Sequence, residues 1–144
     1  MPPAGLIDTG AILALLDCDD EWHASCVEAY HKCRLPLLTT EAALTEVFHL
    51  LPRNLADGAR GVWTLLHSGA IHMSTIHHTE LPQVHALMNT YRDRPMDFAD
   101  ATLVHLAARE SLTLILTVDH NDFETYRIGH QRFDILPPRH SVKP

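Results

Sequence analysis

Residues 94–123, RPMDFADATLVHLAARESLTLILTVDHNDF, contain a helix, a strand and two pairs of aspartates, Asp97 with Asp100 and Asp119 with Asp122. Leu103, Val104, Ala107 and Ala108 stand at i+3, i+4, i+7 and i+8 from Asp100, a stripe that predicts a helix beginning near Asp97. The following run LTLILTVD is rich in β-formers and ends on an acid, which predicts a strand over 113–117. A short strand that is apolar on both faces belongs inside a parallel sheet covered by helices. The stretch therefore sets the fold class: helix, buried strand, and acids where the chain enters and leaves them.

The same alternation extends in both directions. AGLIDTGAILALL predicts a buried strand over 4–8 and a helix over 10–17. Asp19 or Asp20 caps a second helix with Trp22, Cys26, Ala29, Tyr30 and Cys33 on one stripe. LPLLTT is a short strand, and Thr39 or Thr40 caps a helix that stops before Pro52. Residues 55–68 form a helix weakened by Gly58 and Gly61, AIHMS is a strand, and 79–91 is a helix. After the strand at 113–117 come a short helix, DFETYR, and a last strand, FDILP, before a Pro-rich tail. With no repeat or linker, the chain reads as one α/β domain with a mainly parallel central sheet and helices on both faces.

Composition narrows the function. At 144 residues the chain is long enough for one core, and 46% apolar with 20% charged residues is a globular balance. Eighteen acids against eleven bases give a net charge of −7, which argues against a general polyanion-binding surface and leaves room only for a local basic rim. The twelve histidines are scattered and read as surface groups. Cys18, Cys26 and Cys33, an odd count without a Cys-x-x-Cys, read as reduced thiols in a cytoplasmic protein, the last two packing on a shared helix face. The N-terminus lacks a basic leader region, and no apolar run reaches the roughly 18 residues of a membrane span.

Four acids gather at one edge of the expected sheet. Ligands bind beyond the carboxyl ends of parallel strands. Asp8 ends the first strand, Asp119 follows the strand 113–117, Asp100 starts the buried stripe, and Glu46 lies on a helix with an apolar flank. Each has an ordinary reading: Asp97 and Asp100 as a cap and an acidic third residue, Asp122 as a cap for a helix at 123–127, Asp8 as a turn and Glu46 as a solvated face. Their convergence outweighs these. Two carboxylates about 4 Å apart at an effective dielectric near 20 repel by about 4 kcal/mol, so such a cluster protonates or holds a cation. All-oxygen ligands select a hard ion, Mg²⁺ or Mn²⁺.

LIDTGAI, TEV, MDFADATLVHLAA and LILTVDHNDF, in that order, resemble the motifs of the PIN-domain family from about residue 5 to 136. The VapC-like toxin ribonucleases of toxin–antitoxin systems are the group they resemble most. The resemblance implies a three-layer nuclease domain over 1–138 with a tail at 139–144, and metal-dependent hydrolysis of RNA. By position, Asp8, Glu46, Asp100 and Asp119 match the family's catalytic acids, with Asp8, Asp100 and Asp119 on the metal. Thr9 and Thr117 match supporting hydroxyls, and Asp97 and Asp122 stand behind, as caps or as the shell of a second metal. Arg92, Arg94 and Arg127 flank the site in sequence and are the candidates for RNA binding. A homodimer and an antitoxin partner are further implications, with Trp22, Tyr30 and Trp63 as apolar residues on two helices for which core packing is the better reading in at least two cases. Gly10, where a serine or asparagine is common, is a departure expected to loosen the first turn.

Other readings are a stand-alone RNA-processing nuclease of the same family or a degenerate protein-binding module. A haloacid-dehalogenase-type phosphatase needs an acid two residues after Asp8, where Gly10 stands. A receiver domain needs a lysine after a late strand, and neither Lys32 nor Lys143 is so placed.

Overall fold

A computed structural model describes residues 2–139. The tail expected at 139–144 therefore lies outside the described residues, apart from Arg139. Five parallel strands, β1 (Gly5–Ile7), β2 (Leu37–Thr40), β3 (Ile71–Ser74), β4 (Leu114–Leu116) and β7 (Asp134–Leu136), form a sheet in the order β3-β2-β1-β4-β7. The short strands β5 (Arg127–Ile128) and β6 (Gln131–Arg132) stand apart from it. Helices α1 (Thr9–Leu16), α2 (His23–Lys32), α3 (Glu41–Leu50), α4 (Gly58–His67), α5 (Leu81–Thr90), α6 (Phe98–Glu110) and α7 (His120–Thr125) complete the domain.

Alternation along the strands splits the core in two. Ile7, Leu37, Ile71 and Leu116 face one side, against Ala11, Ile12, Cys26, Val47 and Val62 of α1–α4. Leu6, Leu38 and Ile115 face the other, against Leu103, Val104, Leu106 and Ala107 of α6, Val84 of α5 and the aromatic pair Phe123 and Tyr126. Helices thus cover both faces of an all-parallel sheet, as the uninterrupted apolar strands require. Trp22 and Tyr30 pack partly buried on the first layer, whereas Trp63 is 52% exposed, its ring 5.6 Å from that of Phe48.

Several elements differ in detail from the sequence reading. The α4 helix starts at Gly58, because Asp57 adopts a left-handed conformation (φ 57°) that ends the preceding turn. Asp20 accepts the Trp22 N–H at 2.8 Å in the turn before α2, without being its cap. The short helix is α7, capped by Asp119, so Asp122 is its third residue rather than a cap for 123–127. Beyond α7, β5 and β6 pair as a small antiparallel hairpin, turned by Gly129 at φ 60°. Two-residue strands carry no usable periodicity, and the sequence reading does not anticipate this hairpin. His120, one of the histidines expected at the surface, is buried and bonds the Pro137 carbonyl at 2.7 Å.

This topology fixes the site. From β1 the chain moves outward to β2 and β3, then crosses to β4 on the other side of β1. The switch point lies at the carboxyl ends of β1 and β4, where a doubly wound sheet opens its crevice. Ile7 pairs with Leu116, so Asp8 and Thr117 leave the sheet side by side.

Candidate active site

Three of the acids begin helices at this edge. Asp8 precedes α1, Asp97 precedes α6 and Asp119 precedes α7, each accepting a backbone N–H from its own helix. The positive end of each helix therefore faces a carboxylate, worth roughly 0.3–1 kcal/mol apiece. Asp8 Oδ1 accepts the Thr9 N–H at 2.7 Å, and its Oδ2 accepts the Thr117 hydroxyl at 3.0 Å. The Thr117 oxygen in turn accepts the Asp119 N–H at 3.0 Å, so one threonine orients two acids. Thr9 donates to the Ala43 carbonyl of α3 at 3.1 Å, tying the first helix to the one that carries Glu46.

Asp100, third in α6, gives its N–H to Asp97 Oδ1 at 2.8 Å. Its own Oδ2 accepts the hydroxyl of Tyr126 at 3.0 Å. Tyr126 is fully buried, edge-on to both Tyr91 and Phe123, so its donor is held in place by packing. It is a site residue that the sequence reading missed. Its apolar spacing with Phe123, three residues apart, marks the inner face of α7 and was the available signal.

Asp100, Asp119 and Asp122 each place one carboxylate oxygen within 4.8 Å of the others. Asp8, expected in the metal set, adjoins this triad with each oxygen accepting a hydrogen bond, and Asp122, expected behind the site, lies within the triad. The acids strain against one another. Asp8 is pushed up to about 6, first by burial, with Asp119 and Glu46 adding repulsion against the lowering effect of its two hydrogen bonds. Asp100 is pushed up to about 8, by burial and then by Asp8 and Asp97. Asp119 rises to about 6 by burial and its contact with Asp122, and Glu46 rises by burial and the charge of Asp97. All six acids thus share one electrostatic field. Carboxylates this close together, one of them buried, make an all-oxygen donor set that fits a hard divalent cation, which relieves the repulsion.

The arginines divide. Arg94 sits at the rim, its Nε 3.3 Å from Asp122 Oδ1. Arg92 donates to the Asn89 carbonyl at the end of α5, and Arg127 donates to the carbonyls of Glu124, Thr125 and Tyr126 at the end of α7. Both are thus engaged with helix carboxyl ends. Arg127 also borders a groove of about 620 Å³ between α5, α6 and β5 that contains none of the six acids. Gly10 contradicts the loosening expected of it: a Cβ there would lie 2.7 Å from Val118 Cγ2, so its absence lets the first turn of α1 press against the chain leaving β4.

Over residues 5–128 the sequence matches the PIN domain family. The chain belongs to that family. Ribonuclease VapC26 of Mycobacterium tuberculosis is 30% identical over 134 residues, which span 92% of this chain and 99% of the relative. The crystal structure of Mycobacterium tuberculosis VapC20, a sarcin–ricin loop cleaving toxin, superposes with a TM-score of 0.73, covering 81% of this chain and 91% of that one. At 17% identity this second likeness speaks to the PIN fold alone. No helix among the described residues is long and apolar enough to cross a membrane.

Proposed function

We propose that this PIN-domain protein is a ribonuclease of the VapC type, the toxin of a VapBC-type toxin–antitoxin module, and that it hydrolyses RNA phosphodiester bonds with Mg²⁺ or Mn²⁺. The observation that carries the reading is the cluster of Asp100, Asp119 and Asp122, whose oxygens lie within 4.8 Å at the switch point of the sheet. The 30% identity to a relative named as a ribonuclease, over nearly its whole length, supports the same assignment.

Asp100, Asp119 and Asp122 would hold the ion, with Asp8 closing the buried side. Bound there, a divalent cation supplies Lewis acidity toward a water and neutralises charge on the phosphate. The chain's own residues do the rest. Tyr126 and Thr117 fix the rotamers of Asp100 and Asp8 through hydrogen bonds formed before any substrate arrives. The Asp97 cap holds the start of α6, and with it Asp100, against the sheet. Glu46, half-buried and with its carboxyl raised, is the acid we assign to proton handling at the attacking water. An antitoxin partner, a homodimer and a cytoplasmic setting belong to the same proposal.

The test is cleavage of a mixed pool of structured RNAs by purified protein in Mg²⁺, Mn²⁺ or EDTA, beside an Asp8→Ala, Asp100→Ala double variant. Cutting that needs the metal and disappears in the variant is the expected result. Absence of cutting in either metal, together with no metal uptake by calorimetry, overturns the reading.

A further inference from the structure

Among the described residues, Arg94 makes the one ion pair with any of the six acids. Its Nε lies 3.3 Å from Asp122 Oδ1, and its Nη1 also donates to Thr125 Oγ1. Asp122 and Thr125 are three residues apart on α7, so the guanidinium lies along that helix. Its backbone belongs elsewhere, to the loop between α5 and α6 that ends at the Asp97 cap. That loop is itself anchored: the Arg94 N–H reaches the Tyr91 carbonyl at 3.0 Å, and the Tyr91 hydroxyl accepts the Arg127 N–H at 2.9 Å. A fixed loop thus carries a half-exposed arginine, its side chain 44% accessible, to Asp122, an acid of the triad whose own side chain is 31% accessible.

Asp122 faces this guanidinium and also the carboxylates of Asp100 and Asp119. A guanidinium and a divalent cation are alternative partners for one carboxylate, and the ion satisfies three acids where Arg94 satisfies one. An exposed ion pair is weak enough to exchange. A guanidinium released at the rim of a nuclease site finds its natural acceptor in a phosphate, which it grips with two parallel hydrogen bonds.

We propose that Arg94 is a positioning residue whose guanidinium exchanges between Asp122 and the RNA phosphate, with metal loading at Asp122 driving the exchange. The proposal rests on the metal-site reading above. It explains how a chain of net charge −7 keeps one cation at the mouth of an acidic site without a basic surface.

The experiment titrates Mn²⁺ alone into the full chain by calorimetry, for wild type, Arg94→Ala, Arg94→Lys, Asp122→Asn and the Arg94→Ala, Asp122→Asn double variant. Removing the competing guanidinium tightens Mn²⁺ binding about two- to fivefold, the range an exposed ion pair spans, with lysine intermediate. In the Asp122→Asn background, where the exchange has no partner, Arg94→Ala changes nothing. In RNA cleavage, Arg94→Ala raises KM several-fold with a smaller effect on kcat, and Arg94→Lys recovers part of it. Unchanged Mn²⁺ affinity in Arg94→Ala, or an equal shift with and without Asp122, overturns the exchange while leaving the metal site intact. A wild-type chain that takes up no Mn²⁺ removes the metal-site reading and the exchange together.

Discussion

Replacing Asp100 by asparagine should make the protein more stable and abolish its activity. Asp100 is 8% exposed, and burial with neighbouring acids pushes its carboxyl up to about 8. An unfolded aspartate titrates near 3.9. At about pH 7.5 the folded chain carries a penalty whose ceiling is roughly 5 kcal/mol by linkage. Asp8 and Asp119 share in any relief, so about 2 kcal/mol is the working figure. Asparagine keeps the size and keeps an oxygen for the Tyr126 hydroxyl, while its amide becomes a donor among carboxylates. For a domain of this size 2 kcal/mol raises Tm by about 6 °C. The assay is thermal unfolding in EDTA at about pH 7.5 and again near pH 5, where Asp100 is protonated in the folded wild type and most of the gain vanishes. Adding Mn²⁺ should raise the Tm of wild type and leave the variant nearly unmoved. A variant with native circular dichroism whose Tm in EDTA equals or falls below wild type at the higher pH refutes the argument.

The same contacts set three more expectations. Because the folded chain holds protons on Asp8, Asp100 and Asp119 above pH 4, stability in EDTA should fall as pH rises from about 4 to 8, the opposite of an acid-labile fold, and divalent metal should flatten the curve. Denaturant unfolding at several pH values measures this, and a rise across that window contradicts it. Tyr126→Phe removes the donor to Asp100 Oδ2 and should cost about 1 kcal/mol in the presence of metal, with weaker Mn²⁺ binding by calorimetry; unchanged affinity would show that the hydroxyl does not orient the acid. Gly10→Ala places a methyl against Val118 and should destabilise by about 1–3 kcal/mol in urea, whereas a neutral result would mean that the β4–α7 connection yields.

The sequence carried the sheet and most helices because their signals are periodic and long. The run 112–119 and the stripe from Asp100 to Ala108 leave little choice of element. Asp8, Thr9, Glu46, Asp100, Thr117 and Asp119 were all named from sequence, and the sheet order brings them to one edge. What sequence could not resolve was which oxygens approach which. Asp119 rather than Asp122 caps α7 because the helix begins three residues earlier than its apolar pattern suggested, and that shift turns Asp122 inward to the triad. Tyr126 was hidden for a different reason. A tyrosine at helical spacing from a phenylalanine reads as core, and it is core; only the position of its hydroxyl against Asp100 gives it a second role. The arginines were separable only by geometry, since helix ends and acids compete for the same donors.

The hydrogen bond from Thr117 to Asp8 joins residues 109 apart in the chain. The strands that bring them together, β1 and β4, are neighbours in the sheet yet come from opposite ends of the sequence. On the ribosome, Asp8 and Glu46 emerge long before Asp100, Asp119 and Asp122, and until β4 docks beside β1 they have nothing to form a cluster with. A nascent chain that ends before Asp122 therefore lacks part of the acid cluster. The complete cluster therefore depends on strands drawn from both ends of the chain, with β4 lying beside β1 in the centre of the sheet.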